Sequence, residues 1–216
     1  MKKFILVIAA LTFSIAAYSQ GFEIGIKGGM NITAADVMKE ASKDVKITNK
    51  NTFNGGVYGR LKIKLIGIFV QPELVYNTRG YNFDITEPIS GTTINLKQQA
   101  YYLDMPVLVG LKMFKFLRVY AGPNFQYLLK NELTDVADGV AKAIDFKKTK
   151  MKEYNTGVQI GFGLDLSKFR VDVKYDFNPT DMGSPFSYNT SYQNHVQLIK
   201  TSMVTIQLGY KLFGIL

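Results

Sequence analysis

The run FNGGVYGRLKIKL, residues 53–65, alternates apolar and polar side chains along most of its length. Successive side chains on a β-strand point to opposite faces. Phe53, Val57, Leu61, Ile63 and Leu65 therefore share one face, and Asn54, Tyr58, Arg60, Lys62 and Lys64 share the other. One such strand fits any half-buried sheet. Its recurrence along the chain narrows the choice.

Seven further segments carry the same period of two, near residues 22–32, 68–83, 96–112, 117–129, 154–164, 169–177 and 199–213. In the seventh of the eight, Phe169, Val171, Val173, Tyr175 and Phe177 oppose Arg170, Asp172, Lys174 and Asp176. The links between segments are sorted by length. Short turns fall at residues 66–67, 113–116 and 166–168. Longer polar links cover 33–51, 84–95, 130–153 and 178–198. Short turns at one end and long loops at the other are the habit of an up-and-down transmembrane barrel. A soluble sandwich has no reason to sort its loops in this way.

The N-terminus supports export. Lys2 and Lys3 precede an apolar run, residues 4–17, too short for an ordinary spanning helix. Ala17 and Ser19 supply the small residues of a cleavage site, so residues 1–19 read as a signal peptide and 20–216 as the barrel domain. Cleavage removes two lysines and takes the formal charge from +9 to +7 over about 197 residues. No other stretch reaches the roughly 18 apolar residues a helical span needs. The chain has no cysteine, which excludes disulfides, thiolate metal sites and an N-terminal lipid anchor. For an exported basic chain the expected anionic neighbours are lipid headgroups and lipopolysaccharide, with no nucleic acid. Surface solubility and lumen charge account for the same excess of cations.

Periodicity alone does not say which face is inside. A lipocalin-like barrel fills its interior with apolar side chains, whereas an outer-membrane barrel turns them to lipid. Three features favour the second arrangement. Glycines crowd the polar face: Gly25, Gly29, Gly56, Gly110, Gly122, Gly157, Gly161, Gly163 and Gly209 suit a narrow, filled interior. Aromatics gather near strand ends on the apolar face, among them Phe53, Tyr76, Tyr101, Tyr127, Tyr154, Phe169, Phe177 and Tyr210, as interfacial girdles require. The chain also ends in a strongly patterned strand able to close the barrel, since an open edge in lipid leaves costly unpaired backbone groups.

The runs QPELVYNTRG (71–80), YYLDMPVLVGLK (101–112), VYAGPNFQYLL (119–129), VDVKYDF (171–177) and IQLGYKLF (206–213) resemble the PorT-like outer-membrane β-barrel family of Bacteroidota. The resemblance covers essentially the whole chain after residue 19. It implies an all-β fold, an eight-stranded antiparallel up-and-down transmembrane β-barrel in the outer membrane. It also suggests an accessory role in a protein-export (type IX-like) apparatus.

The inward face is expected to carry both signs of charge: Arg60, Lys62, Lys64, Glu73, Arg79, Asp104, Lys112, Arg118, Asp165, Arg170, Asp172, Lys174, Asp176 and Lys211. Unpaired charges in a narrow interior are costly, so they should pair across strands. Glu73 and Asp104 with Arg118 form one expected cluster, and Asp172 and Asp176 flanking Lys174 another. Arg60, Lys62 and Lys64 are expected to meet Glu73 and its acidic neighbours. Such clusters serve as an ion path or proton-transfer pair, or as a salt-bridged plug. An eight-stranded barrel is narrow enough that the plug is the expectation.

No enzyme motif stands out. His195 is the single histidine, lies in a long polar loop and has no Ser or Cys partner in a nucleophile motif. HExxH, GxSxG and phosphate loops are absent. No catalytic, cofactor or metal residue is expected. ADGVAKAIDFKKTKMKE (137–153) reads as a short external helix or a solvated loop that touches lipopolysaccharide phosphates, and residues 178–194 as a surface recognition loop by composition. The expected function is structural or interaction-based, with the external loops as working surface, lipid and lipopolysaccharide around the barrel, barrel-assembly machinery at insertion and a protein partner at the loops. A soluble periplasmic lipocalin-like binder is the remaining alternative.

Overall fold

The computed structural model describes residues 21–37, 45–63, 67–86, 93–134, 150–178, 183–184, 187–190, 193–196 and 199–215. The expected signal peptide lies outside them, as do Lys64, Leu65 and most of 137–153. Eight long strands form the molecule. They are β1 (Gly21–Val37), β2 (Val45–Ile63), β3 (Ile68–Thr86), β4 (Thr93–Met113), β5 (Leu117–Thr134), β6 (Tyr154–Leu166), β7 (Phe169–Phe177) and β8 (Ile199–Ile215).

Every strand pairs antiparallel with its sequence neighbours, and β1 pairs with β8, so the sheet is a closed barrel. Closure leaves no edge. The final ladder joins Phe22 to Ile215 and runs to Val37 opposite Ile199. Left-handed backbone at Gly67, at Phe114 and Lys115, and at Ser167 makes the three tight turns between β2 and β3, β4 and β5, and β6 and β7. Both described chain ends, Gly21 and Ile215, lie at this same short-turn end.

The alternation follows the expected faces. Outward side chains such as Phe53, Val57, Leu74, Val109, Ile160, Phe162, Leu208 and Leu212 are exposed, and inward polar ones are buried. A lipocalin-like interior is excluded by that inversion. Leu61 corrects one detail: it keeps the outward parity yet is only 5 % exposed, because Phe22 and Val70 flank it on the two adjoining strands. Inward apolar side chains form two small buried clusters in a mainly polar lumen, Phe69 with Leu108 and Tyr120, and Ala100 with Tyr102.

Strand length departs from the sequence reading. Residues 33–37 and 45–50, expected in a long link, continue β1 and β2, and β3 and β4 pair out to Thr86 opposite Thr93. A ladder is held by backbone hydrogen bonds, so it outruns the apolar belt from which the strands were read. The expected recognition loop likewise contains strand: Ser187–Thr190 pairs with Gln193–Val196, and Gly183–Ser184 with Lys150–Met151. His195 sits in that hairpin opposite Tyr188.

Two aromatic bands bracket the apolar surface. Tyr76 and Tyr101 lie 6.1 Å apart, and Tyr127 and Tyr154 5.0 Å apart, toward the long-loop end. Phe169 meets Tyr210 edge-on at 5.3 Å toward the other. The turn pair Phe114 and Phe116, 6.4 Å apart, extends the second band and was not singled out from sequence. Between the bands, Phe162 is half-exposed on the outer wall. Phe162→Arg is expected to cost about 2–4 kcal/mol in lipid vesicles, since a charge near mid-depth must face hydrocarbon. Chemical unfolding followed by gel mobility measures it, and an unchanged midpoint would place Phe162 outside the bilayer core.

Candidate functional site

The candidate site is the charged lumen, and it is layered. Nearest the tight turns, Glu23 on β1 receives the Tyr58 hydroxyl at 2.9 Å, Lys62 at 2.8 Å and Arg170 Nη2 at 3.0 Å. Asp165 on β6 receives Arg118 Nε at 2.6 Å, Lys112 at 2.8 Å and Arg170 Nε at 3.0 Å. Arg60 stands between these two carboxylates at 3.5 Å from each, and its Nε donates to Gln71 at 2.6 Å. Two carboxylates thus anchor five cations. Alternation puts all of them inward, because each shares the parity of its strand's other inward polar residues.

The middle layer turns on Glu73. Lys27 reaches it from β1 at 2.5 Å and Lys174 from β7 at 2.7 Å, so this contact crosses the barrel. Gln71 donates to Glu73 at 2.6 Å and links the two layers. Asp172 accepts the Tyr120 hydroxyl at 2.7 Å and faces Arg118 Nη2 at 3.1 Å. Arg60, Arg118 and Lys174 are at most 2 % exposed.

Toward the long loops, charge gives way to amides. Arg79 pairs with Asp104 at 3.3 Å and lies over the Tyr102 ring at 4.5 Å. Asn77 donates to Asp104 at 2.7 Å, while Asn124 and Gln159 donate to Asp176 at 3.0 and 2.7 Å. Asn31, Thr52, Asn54, Thr205 and Gln207 continue the net around the wall. Amides bring donors and acceptors without adding charge, which lets them fill a lumen with little desolvation cost.

This arrangement corrects the expected clusters. Glu73, Asp104 and Arg118 are not brought together. Asp104 stands opposite Gln126, but Arg118 stands opposite Lys112, eight positions further along β4. That is about 27 Å of strand at ~3.4 Å per residue. Asp172 and Asp176 do not pair with Lys174, whose head crosses to Glu73 and Gln159. Arg60 and Lys62 meet Glu23 and Asp165 rather than Glu73. Glu23 and Lys27, on the polar face of the first segment, belong to the network although the expected charge clusters omit them. Their spacing of four on an alternating strand was the available signal.

The inward glycines divide into two kinds. A Cβ on Gly163 would lie 2.6 Å from the Arg118 guanidinium and against Asp172, and one on Gly161 would lie 2.7 Å from the Tyr120 ring. These positions leave room for the plug. Others are limited by the neighbouring strand, as at Gly56 beneath the backbone of Leu74 and Val75. Outside the girdle, Lys130 and Glu132 form a surface pair that also receives the Tyr101 hydroxyl at 3.1 Å. The hydrogen bonds from Lys130 and Tyr101 hold the Glu132 carboxyl below its ordinary range, and the bond to Glu132 lifts Lys130 above its own.

A closed eight-stranded antiparallel barrel with an apolar outer belt and a polar, filled lumen defines an outer-membrane barrel protein. Residues 16–182 match the model of the outer membrane protein beta-barrel domain family, and the chain belongs to that family. It resides in the outer membrane, with its tight turns on the periplasmic side. Among solved structures it is similar to the outer membrane protein OprG from Pseudomonas aeruginosa, at 16 % identity and TM-score 0.48 over 90 % of this chain and 97 % of that one. It is also similar to the outer membrane protein AlkL in DMPC bilayers, at 13 % identity and TM-score 0.49 over 90 % and 92 %. Ail, the attachment invasion locus protein of Yersinia pestis, is similar at 12 % identity and TM-score 0.46 over 89 % and 99 %. No curated protein matches the chain.

Proposed function

We propose that this protein is a plugged outer-membrane barrel with a structural or interaction role, working through its external loops. The carrying observation is the buried cross-lumen contact of Lys27, Glu73 and Lys174, in which long side chains from opposite walls fill the bore. The lumen charges Arg60, Lys62, Glu73, Asp104, Arg118, Arg170, Asp172 and Lys174 act as the plug in this reading, and none has a catalytic role. A path for ions needs rehydrated, weakly held sites, and heads locked to carboxylates at hydrogen-bond distance offer none. Residues 1–19 serve as the export signal, barrel-assembly machinery inserts the chain, and lipopolysaccharide surrounds the outer rim. The PorT-like resemblance, and with it a Bacteroidota source, rests on the five runs quoted above.

Planar bilayers test the plug. The wild-type protein is expected to give no steady conductance above the bare membrane. Steady channels of uniform size would overturn the proposal. Deleting the gene and assaying secretion and surface assembly separates a structural protein from an export subunit, because only the latter loses secreted cargo.

A further inference from the structure

A cavity of about 310 Å³ opens where the lumen meets the tight turns, lined by Arg60, Lys62, Lys112, Lys115 and Arg118 over a floor of Phe69. Every titratable side chain on its wall is a cation. The nearest carboxylates, Glu23 and Asp165, are already shared: Asp165 alone answers Lys112, Arg118, Arg60 and Arg170. Arg118 is fully buried, yet its Nη1 makes no hydrogen bond with any described residue. A buried guanidinium nitrogen without an acceptor is costly, and an anion in the cavity would satisfy it. Lys115 stands in left-handed backbone at the tip of the β4–β5 turn and forms no ion pair with a described residue.

We propose that this periplasmic mouth binds an oxyanion of the phosphate type. Tetrahedral oxygens suit the site because Arg118 Nη1 is left over once Nε and Nη2 have met Asp165 and Asp172, while Lys112 and Lys115 offer ammonium groups that adjust to the remaining oxygens. Phe69 and Ile68 bound the cavity on its apolar side, which lowers the local dielectric and strengthens the attraction. The same chemistry is carried by a free phosphate and by a phospholipid headgroup of the inner leaflet.

The experiment uses the whole barrel, folded in micelles, with inorganic phosphate as probe and side-chain NMR of Arg and Lys as readout. Saturable shifts at Arg118 and Lys112 are expected, with chloride at equal ionic strength giving none. The double variant Lys112→Gln, Lys115→Gln should weaken binding roughly tenfold or more, as loss of two charge-assisted contacts implies. Both lysines lie at the rim, so folding should persist, and a heat-modifiable gel shift verifies it. Lys130→Gln, at the opposite end, should bind as wild type. Nanodiscs then separate the sources. Shifts induced by phosphatidylglycerol discs without added phosphate assign a headgroup, and shifts only with added phosphate assign the free ion. No saturation, an equal response to chloride, or an unaltered double variant would overturn the proposal.

Discussion

Glu73→Ala is expected to lower the stability of the folded barrel by about 3–5 kcal/mol, the range for removing one partner of a buried ion cluster. Lys174 ends on this carboxylate from the opposite wall and Lys27 from two strands away, and Gln71 donates to it as well. Truncation leaves two buried ammonium groups facing each other, with Asp172 the remaining carboxylate near both. Urea or guanidinium unfolding in detergent, read by the heat-modifiable gel shift, measures the loss. Replacing the three together, Lys27→Met, Glu73→Leu and Lys174→Met, should recover most of it, because apolar groups of similar volume remove the desolvation cost along with the attraction. If Glu73→Ala unfolds at the wild-type midpoint, the cross-lumen contact contributes nothing and the plug must be held by the Glu23 and Asp165 layer.

The second large effect concerns the wall. A Cβ on Gly56 would sit 2.7 Å from the Cα of Val75 and against the carbonyl oxygen of Leu74. Those atoms are backbone of the paired strand and cannot rotate away. Gly29 meets the backbone of Ile206 and Gln207 in the same manner, and Gly122 that of Val107 and Leu108. At such points the sheet bends sharply enough that one strand's inner face closes on the next, as barrel corners require. Gly56→Val should therefore cost about 3 kcal/mol, at the upper end of overpacking, or leave the barrel unfolded in a refolding assay. Gly59→Val, three residues along the same strand, is the control. Nothing lies within 4 Å of its Cβ position, so it should fold as well as wild type and gain from the β preference of valine. Equal tolerance at both positions would show that Gly56 is not a corner.

Much of the barrel was legible because lipid makes two demands that sequence records directly. Outward residues must be apolar and backbone groups must be paired, so alternation and closure appear in the order of residues. The faces of all eight strands, the sorted turns and the girdle tyrosines follow from that order. Strand ends were less legible. Beyond the belt, a ladder continues through Thr, Asn and Lys, which carry no face signal.

That Arg60, Lys62, Glu73, Asp104, Arg118, Arg170, Asp172 and Lys174 look into the lumen follows from alternation along each strand. Which of them meet depends on the closed barrel. Strands in a barrel are tilted and staggered, so residues close in neighbouring strands by number are set apart along the axis, while residues on opposite walls come within reach. Lys27 and Glu73 lie on strands that are not neighbours, and so do Glu73 and Lys174. No local pattern encodes that distance, because it is fixed by shear and bore width once the last strand has closed on the first.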